Sequence, residues 1–305
     1  MQHHTQLSDV QLGKTWLTIG SFDGVHIGHQ YLIKQMVNGA HANGAGTAVL
    51  TFHPHPAVVL RGKQDSFYLT GQEEKRELLA DLGVDICISM EFNLTVASYT
   101  AQFFLEMLSH QMELRKLVVG QGFALGRGRT GDIPMLEHIG AEQGFDVDVI
   151  RPAQTGNLIA SSSQVRQLLS DRDVEKAAEM LGRRYSLPGI VTHGDGRGRG
   201  LGFPTANIAT SKMRLLPGSG VYACIVTSEE KKYKAVANIG VRPTFNLPDK
   251  TTHLEVHLLD FDREIFGELI TVEFAHFLRN EIKFASASQL TAQIQMDIQS
   301  AREIL

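Results

Sequence analysis

From residue 16 to about residue 182, short apolar runs alternate with runs whose apolar positions recur at helical spacing. Trp16-Leu17-Thr18-Ile19, Thr47–Phe52, Ile86–Ser89, Leu117–Gly120 and Val147–Ile150 read as strands. Between them, the segments around Tyr31–Val37, up to Leu82, Ala101–Leu108 and from Pro134 to His138 read as helices. Alternation of this kind implies an α/β domain, a parallel sheet with helices on both faces. After Gly182-Arg183-Arg184 the texture changes. Tyr185–His193, Gly220–Thr227, Tyr233–Ile239, His253–Leu258 and Leu269–Phe274 are β-rich and separated by Gly, Pro and Asn. They predict a small antiparallel β-barrel. Leu290, Ile294 and Ile298, spaced by four, predict a closing C-terminal helix. Two domains are expected, over residues 14–182 and 183–305, and 43% hydrophobic residues in 305 can fill both cores.

The stretch Gly20–His29, GSFDGVHIGH, joins the first strand to the first helix. A strand, a Gly-rich turn and a helix N-terminus make an anion site, because free N–H groups and the helix dipole point at the turn. Gly24 can take positive φ, and Gly28 lets a ligand approach the backbone. His26 and His29, three apart, share one helix face. As a zinc site the pair is poor: no third ligand is near, and Cys87 and Cys224 are far apart in sequence.

Other stretches have a functional reading beside a structural one. Thr70-Gly-Gln-Glu73 fits a capping box opening the helix to Leu82. His53-Pro54-His55-Pro56 is expected as an extended loop, either a rigid crossover or a pocket wall. Gly126-Arg-Gly128-Arg-Thr-Gly131 matches G-x-G-x-x-G but starts five residues past its strand, so a dinucleotide fingerprint is not expected. Arg127 and Arg129 then reach phosphate or flavin, or lie in a solvated loop. Ser161 and Gln164 fit a second capping box, in which serines and Arg166 suit a phosphate or form an ordinary cap. In the second half, five glycines between Gly194 and Gly202 make a loop whose N–H groups can line a phosphate concavity. A net charge of −4 gives no footprint for nucleic acid, and no apolar run is long enough for a membrane span. Two cysteines favour a reducing cytosol over a disulfide framework. The polar N-terminus, MQHHTQLSDV, is expected to be a mobile tail.

Taken whole, GSFDGVHIGH resembles the G-x-F-D-G-x-H-x-G-H signature of the H-x-G-H nucleotidyltransferases, whose domain is Rossmann-like. Ser161-Ser162-Ser163-Gln164-Val165-Arg166 is similar to their second signature, I-S-S-T-x-x-R, with Ser163 in place of Thr. Gly194–Asn207, Asn238–Phe245, Leu254–Phe261 and the Phe277–Phe284 stretch look like riboflavin kinase. Together the motifs resemble the bacterial bifunctional riboflavin kinase/FAD synthetases, from about residue 14 to the C-terminus.

The resemblance implies two ATP-dependent reactions in one chain: riboflavin to FMN with release of ADP, then FMN to FAD with release of pyrophosphate. His26, His29 and Arg166 would stabilise phosphate charge in the first half. Gly20, Phe22, Asp23, Gly24, Gly28, Ser162 and Ser163 would bind nucleotide there. In the second half Glu255 would be the catalytic base, and Thr205 with Asn207 would hold Mg²⁺. Gly194, Gly196, Arg197, Gly198, Gly200, Gly202, Pro204, Asn207 and Arg279 would bind nucleotide or flavin. One departure stands out: the family's Asp or Asn before Phe123 is Gly122, and an aromatic is replaced by Leu125. It motivates an alternative, a riboflavin kinase with a weakened adenylyltransferase half. A flavin-sensing binding protein without turnover is a third reading. The sequence leaves the oligomeric state open.

Overall fold

The structure is a computed structural model and describes residues 1–10, 12–62, 66–151, 160–193, 202–241 and 252–305. The chain divides into two compact units. One holds the chain up to Ser161 apart from the short segment at Phe67; the other holds that segment and Ser162–Leu305.

The first unit is built on six strands: β1 (Gln2–His4), β2 (Leu12–Ile19), β3 (Gly46–His53), β4 (Ile86–Glu91), β5 (Met112–Gly120) and β6 (Asp146–Ile150). They form one sheet in the order β1-β4-β3-β2-β5-β6, every neighbouring pair parallel. The described helices of this unit are α1 (Ile27–Ala42), α2 (Pro56–Arg61), α3 (Gln72–Asp81), α4 (Leu94–Ser98), α5 (Ala101–Gln111) and α6 (Ile133–Gln143). Strand pleating sends alternate residues to opposite faces. Ala48, Leu50 and Phe52 of β3 join Phe104, Leu105 and Leu108 of α5 in one core. Val49, between them, joins Ile33, Met36 and Val37 of α1 and Leu79 of α3 in the other. The expected α/β layering is present on both faces.

Three local expectations are corrected. The N-terminus is not a mobile tail: Gln2, His3 and His4 pair in parallel with Ile86, Cys87 and Ile88, and His3 Nε2 lies 3.0 Å from Ser89 Oγ. An edge strand presents unpaired backbone groups, and β1 satisfies those of β4. The His53–Pro56 stretch is not extended throughout. After a cis His53–Pro54 bond, Pro56 opens α2 and His55 Nδ1 caps it, accepting from Ala57 N at 3.0 Å. Proline at a helix start forfeits only an N–H that had no partner. The capping box is shifted by one residue: Gly71 is the N-cap, and Glu74 accepts from its N–H at 3.3 Å. Thr70 does not cap because its hydroxyl donates to Asp23 and accepts from Gly24 N.

The second unit opens with α7 (Ser162–Ser170) and α8 (Val174–Leu181). These helices group with the barrel, upstream of the boundary expected after Gly182, because α8 packs onto barrel strands and buries Val174, Ala177, Met180 and Leu181. The barrel strands are β7 (Tyr185–Thr192), β8 (Ala206–Ala209), β9 (Gly220–Ser228), β10 (Lys231–Val241), β11 (Thr252–Leu258) and β12 (Leu269–Arg279). They close antiparallel in the order β10-β11-β8-β7-β12-β9. Closure leaves no free edge. Tyr222, Phe274, Val226, Val256 and Val272 are fully buried. A last helix, α9 (Ala287–Ile304), packs on β9, β10 and β12 with Ser286 as its N-cap. Among the described residues no helix is long and apolar enough to cross a membrane. Both cysteines are buried and free.

Candidate functional sites

At the carboxyl end of β2 the chain enters a turn in which Phe22 (φ 45°), Gly24 (φ 82°) and Val25 (φ 39°) are all left-handed. Such backbone in non-glycine residues is strained and persists only when its surroundings over-determine it. Here Asp23 does so. It is 1% exposed, and its carboxylate accepts from Leu69 N, Thr70 N and Thr70 Oγ1 at 3.1–3.2 Å. The side chain expected to meet nucleotide therefore faces inward and fixes the turn.

His26 is the N-cap of α1. Its Nδ1 accepts from His29 N at 3.4 Å, so the neutral ring carries its proton on Nε2. The two imidazoles stack, centroids 3.6 Å apart, and Phe22 meets His29 edge-on at 5.1 Å. Burial pushes the His26 pKa down to about 4, against the pull of Asp23. Burial, then His26 and Lys75, hold His29 well below the ordinary range. Both rings are thus neutral N–H donors near pH 7. Among the described residues His29 Nδ1 is buried without a partner. The N–H groups of Ser21, Phe22, Ile27 and Gly28 also donate to no described protein atom. A Cβ on Gly28 would sit 3.2 Å from the His26 ring, so this glycine makes room for the imidazole. Gly20 N donates to Leu50 O at 3.0 Å, anchoring the turn to β3.

Beside the turn lies a cavity of about 670 Å³, lined by Gly20, Ser21, Phe52, His55, Tyr99 and the Gly122–Arg129 loop. It sits beyond the strands' carboxyl ends, where parallel sheets bind ligands. A Cβ on Gly122 would meet nothing within 4 Å, so the missing side chain leaves open space. Leu125 is buried in the core of α5. Gly126 (φ 79°) packs so tightly that a Cβ would lie 2.5 Å from Ala101 N, and Arg129 Nη2 donates to Gly122 O at 3.0 Å. The G-x-G-x-x-G match is a packed wall of this cavity.

In the second unit, Ser162 and Ser163 form the first turn of α7. Arg166 Nε donates to Phe67 O at 2.8 Å, and its guanidinium lies 4.0 Å from the Phe67 ring centre.

On the barrel, Leu254 and Val256 point into the core, so Glu255 is on the outer face. That face is not bare. Glu255 stands opposite Asn238 of β10 and Asn207 of β8, and lines a cavity of about 310 Å³ roofed by Leu290 and Ile294 of α9. Arg279 closes one side: Nε and Nη2 donate to the Asp297 carboxylate at 2.8–3.1 Å, and Gln293 Nε2 adds a bond at 3.0 Å. Arg279 is thus committed to a helix–barrel tie at the cavity wall. Thr205 lines this cavity and a second of about 620 Å³ formed with His193, Pro204, Arg263 and Phe266. His257 Nδ1 holds Pro204 O at 2.7 Å, and Thr192 Oγ1 donates to Asn207 O at 3.3 Å. Gly202 is left-handed (φ 85°). Gly194, Gly196, Arg197, Gly198 and Gly200 lie outside the described residues. Asp297 was not singled out from sequence, where its one signal was its place in an amphipathic helix; Asn238 entered only as the first residue of the riboflavin-kinase-like stretch Asn238–Phe245, with no role of its own.

Comparison with known proteins gives the two halves their relatives. Residues 9–164 match the family model FAD synthetase, and residues 181–305 match riboflavin kinase. Bifunctional riboflavin kinase/FMN adenylyltransferases of Listeria monocytogenes and Escherichia coli K12 are 37% and 38% identical. Each alignment covers 94% of this chain and 91% of the relative. That of Bacillus subtilis is 35% identical over 98% of this chain and 95% of its own. A crystal structure described as a macrolide-efflux protein from Streptococcus pneumoniae superposes with a TM-score of 0.90 at 28% identity, covering 98% of each chain. With both family models matched in order and full-length relatives well above 30% identity, this chain belongs to the bifunctional riboflavin kinase/FMN adenylyltransferase family.

Proposed function

We propose that the barrel unit phosphorylates riboflavin and that the sheet unit adenylylates the product. In the barrel, the ribityl 5′-hydroxyl attacks the γ-phosphorus of ATP, Glu255 takes the hydroxyl proton, and ADP leaves. The observation that carries this reading is the placement of Thr205 on both cavities, with Glu255 and Asn238 on one of them. The cavity lined by Glu255, the base for the riboflavin hydroxyl, takes the flavin and the other takes ATP, so the transferred phosphoryl passes near Thr205. Among the described residues no cluster of three His, Cys, Asp or Glu side chains could hold a metal. A magnesium ion carried mainly by phosphates fits that, since it needs only one or two hard oxygen ligands from protein, which Thr205 and Asn207 offer. Bound there, it would neutralise phosphate charge.

In the sheet unit, an FMN phosphate oxygen attacks the α-phosphorus of ATP and pyrophosphate leaves, with no covalent enzyme intermediate. The free turn N–H groups and the neutral imidazoles of His26 and His29 hydrogen-bond the charge that builds on the phosphates. The adjoining 670 Å³ cavity takes the flavin ring. The space left by Gly122 favours a flavin held by shape rather than by a polar side chain. The family match over both halves supports two activities rather than a kinase with an idle partner. We place the enzyme in the cytoplasm, where ATP and reduced thiols are found.

The test is incubation of purified protein with riboflavin, ATP and Mg²⁺, with products separated over time. FMN should rise first and FAD follow. FMN without FAD would establish the weakened-adenylyltransferase alternative. Flavin binding without ATP consumption would overturn both.

A further inference from the structure

One buried cation of the first unit has no part in that mechanism. Lys75, on α3, is 6% exposed, and lysines are almost never buried without a reason. Its Nζ donates to Ser21 O at 2.7 Å and to Thr51 Oγ1 at 3.3 Å, and Thr51 Oγ1 itself donates to Ser21 O at 3.1 Å. Two bonds use two of its three N–H groups. The carbonyl so held belongs to the strained turn, and its peptide carries the N–H of Phe22. A trans peptide points C=O and N–H in opposite directions. Pinning the Ser21 oxygen toward Lys75 therefore turns the Phe22 N–H away from it, and that N–H has no described protein partner.

Turn and helix are clamped reciprocally. Asp23, in the turn, grips the backbone that leads into α3; Lys75, in α3, grips the turn. The clamp also removes an obstacle. A carbonyl oxygen left aimed at the anion site would repel a triphosphate, and here it is turned to a cation instead.

We infer that Lys75 is a positioning residue for adenylyl transfer, holding the Ser21–Phe22 peptide so that its N–H is presented to a phosphate oxygen of ATP. The inference rests on the adenylyltransferase reading of the first unit. Lys75 contacts the reacting groups only through the turn. Its charge has a second effect, since it opposes protonation of His29 and helps keep that ring neutral.

The experiment is Lys75→Met in the full chain, with FMN and FAD formation measured separately. A turn displaced by about 1 Å costs roughly 100-fold, so kcat for FAD formation should fall by that order. Riboflavin phosphorylation should hold within about threefold, because Lys75 lies outside the barrel unit. The His29 imidazole titration, followed by NMR in the ligand-free protein, should move to higher pH, a change that a packing role would not produce. Thr51→Val removes only the second arm of the clamp. It should lower kcat for FAD formation by roughly tenfold, the equivalent of one hydrogen bond, and it decides the matter if Lys75→Met fails to fold. FAD formation within about threefold of wild type in Lys75→Met, or unchanged in Thr51→Val, overturns the inference. So does joint loss of both activities in soluble Lys75→Met. If the wild-type chain itself makes no FAD, it is the adenylyltransferase reading that has failed.

Discussion

Removing the Asp297 carboxylate tests whether the tie between α9 and β12 maintains the kinase cavity. Asp297 is 5% exposed and receives two arms of the Arg279 guanidinium and the Gln293 amide. Asp297→Ala strands a guanidinium that is mostly buried, leaving it among the described residues only Asn280 O and the Phe284 ring. Breaking a buried pair by deleting one partner costs about 3–5 kcal/mol, a large share of the roughly 5–15 kcal/mol that stabilises a domain. With a urea m-value of about 2 kcal/mol/M, the barrel transition should move down by about 2 M. The units can be read separately, because the single tryptophan, Trp16, lies in the first unit. Tryptophan fluorescence should therefore keep its midpoint while circular dichroism shows the barrel unfolding earlier. Since Leu290 and Ile294 roof the cavity from the same helix, KM for riboflavin should rise at urea concentrations that leave the barrel folded. Replacing both partners by leucine should cost less than Asp297→Ala, because no charge is left unpaired. A shift under about 0.5 M in Asp297→Ala, or equal loss from single and double variants, would refute the reasoning.

Further outcomes follow from the sites. Glu255→Gln should lower FMN formation from riboflavin by roughly 10²–10⁴-fold while FMN is still converted to FAD; His29→Ala should do the reverse, lowering only FAD formation by roughly 10²–10³-fold. Product separation with each substrate reads both. His26 titrates near 4 in the folded chain against an ordinary 6.5, so the unfolded chain binds the extra proton between those values. Stability of the first unit should then be lost as pH falls from about 6.5 to 4, by on the order of 3 kcal/mol, and the slope should flatten in His26→Gln. Trp16 fluorescence in urea at several pH values measures it. Gly126→Ala forces a Cβ to 2.5 Å from Ala101 N at a φ of 79°. It should cost about 2–4 kcal/mol and lower the calorimetric Tm of the first unit by about 4–16 °C.

The alternating apolar runs of the first half, and the β-rich runs of the second, determined all but one strand of the sheet, the polar β1, and all but one of the barrel. Periodicity of buried positions is a local property, and it is written along the chain. The four-residue β8 was not legible: Ala206–Ala209 has little alternation, and it becomes a strand only because Glu255 and Thr192 pair on either side of Asn207. Motif reading likewise located the histidine turn and Glu255, since residue type and spacing survive in one dimension. Direction did not survive. Asp23 reads as a ligand in the string GSFDGVHIGH, yet it turns inward because residues 69 and 70, distant in sequence, offer it their N–H groups. Thr70 lost its cap to that same network. Lys75 reads as one charge on an amphipathic helix, and only the packing of α3 under the turn makes it a buried clamp. Hydrophobic pattern decides which face of an element is covered, but long-range hydrogen-bond partners decide where its polar groups point, and those partners meet only in the folded chain.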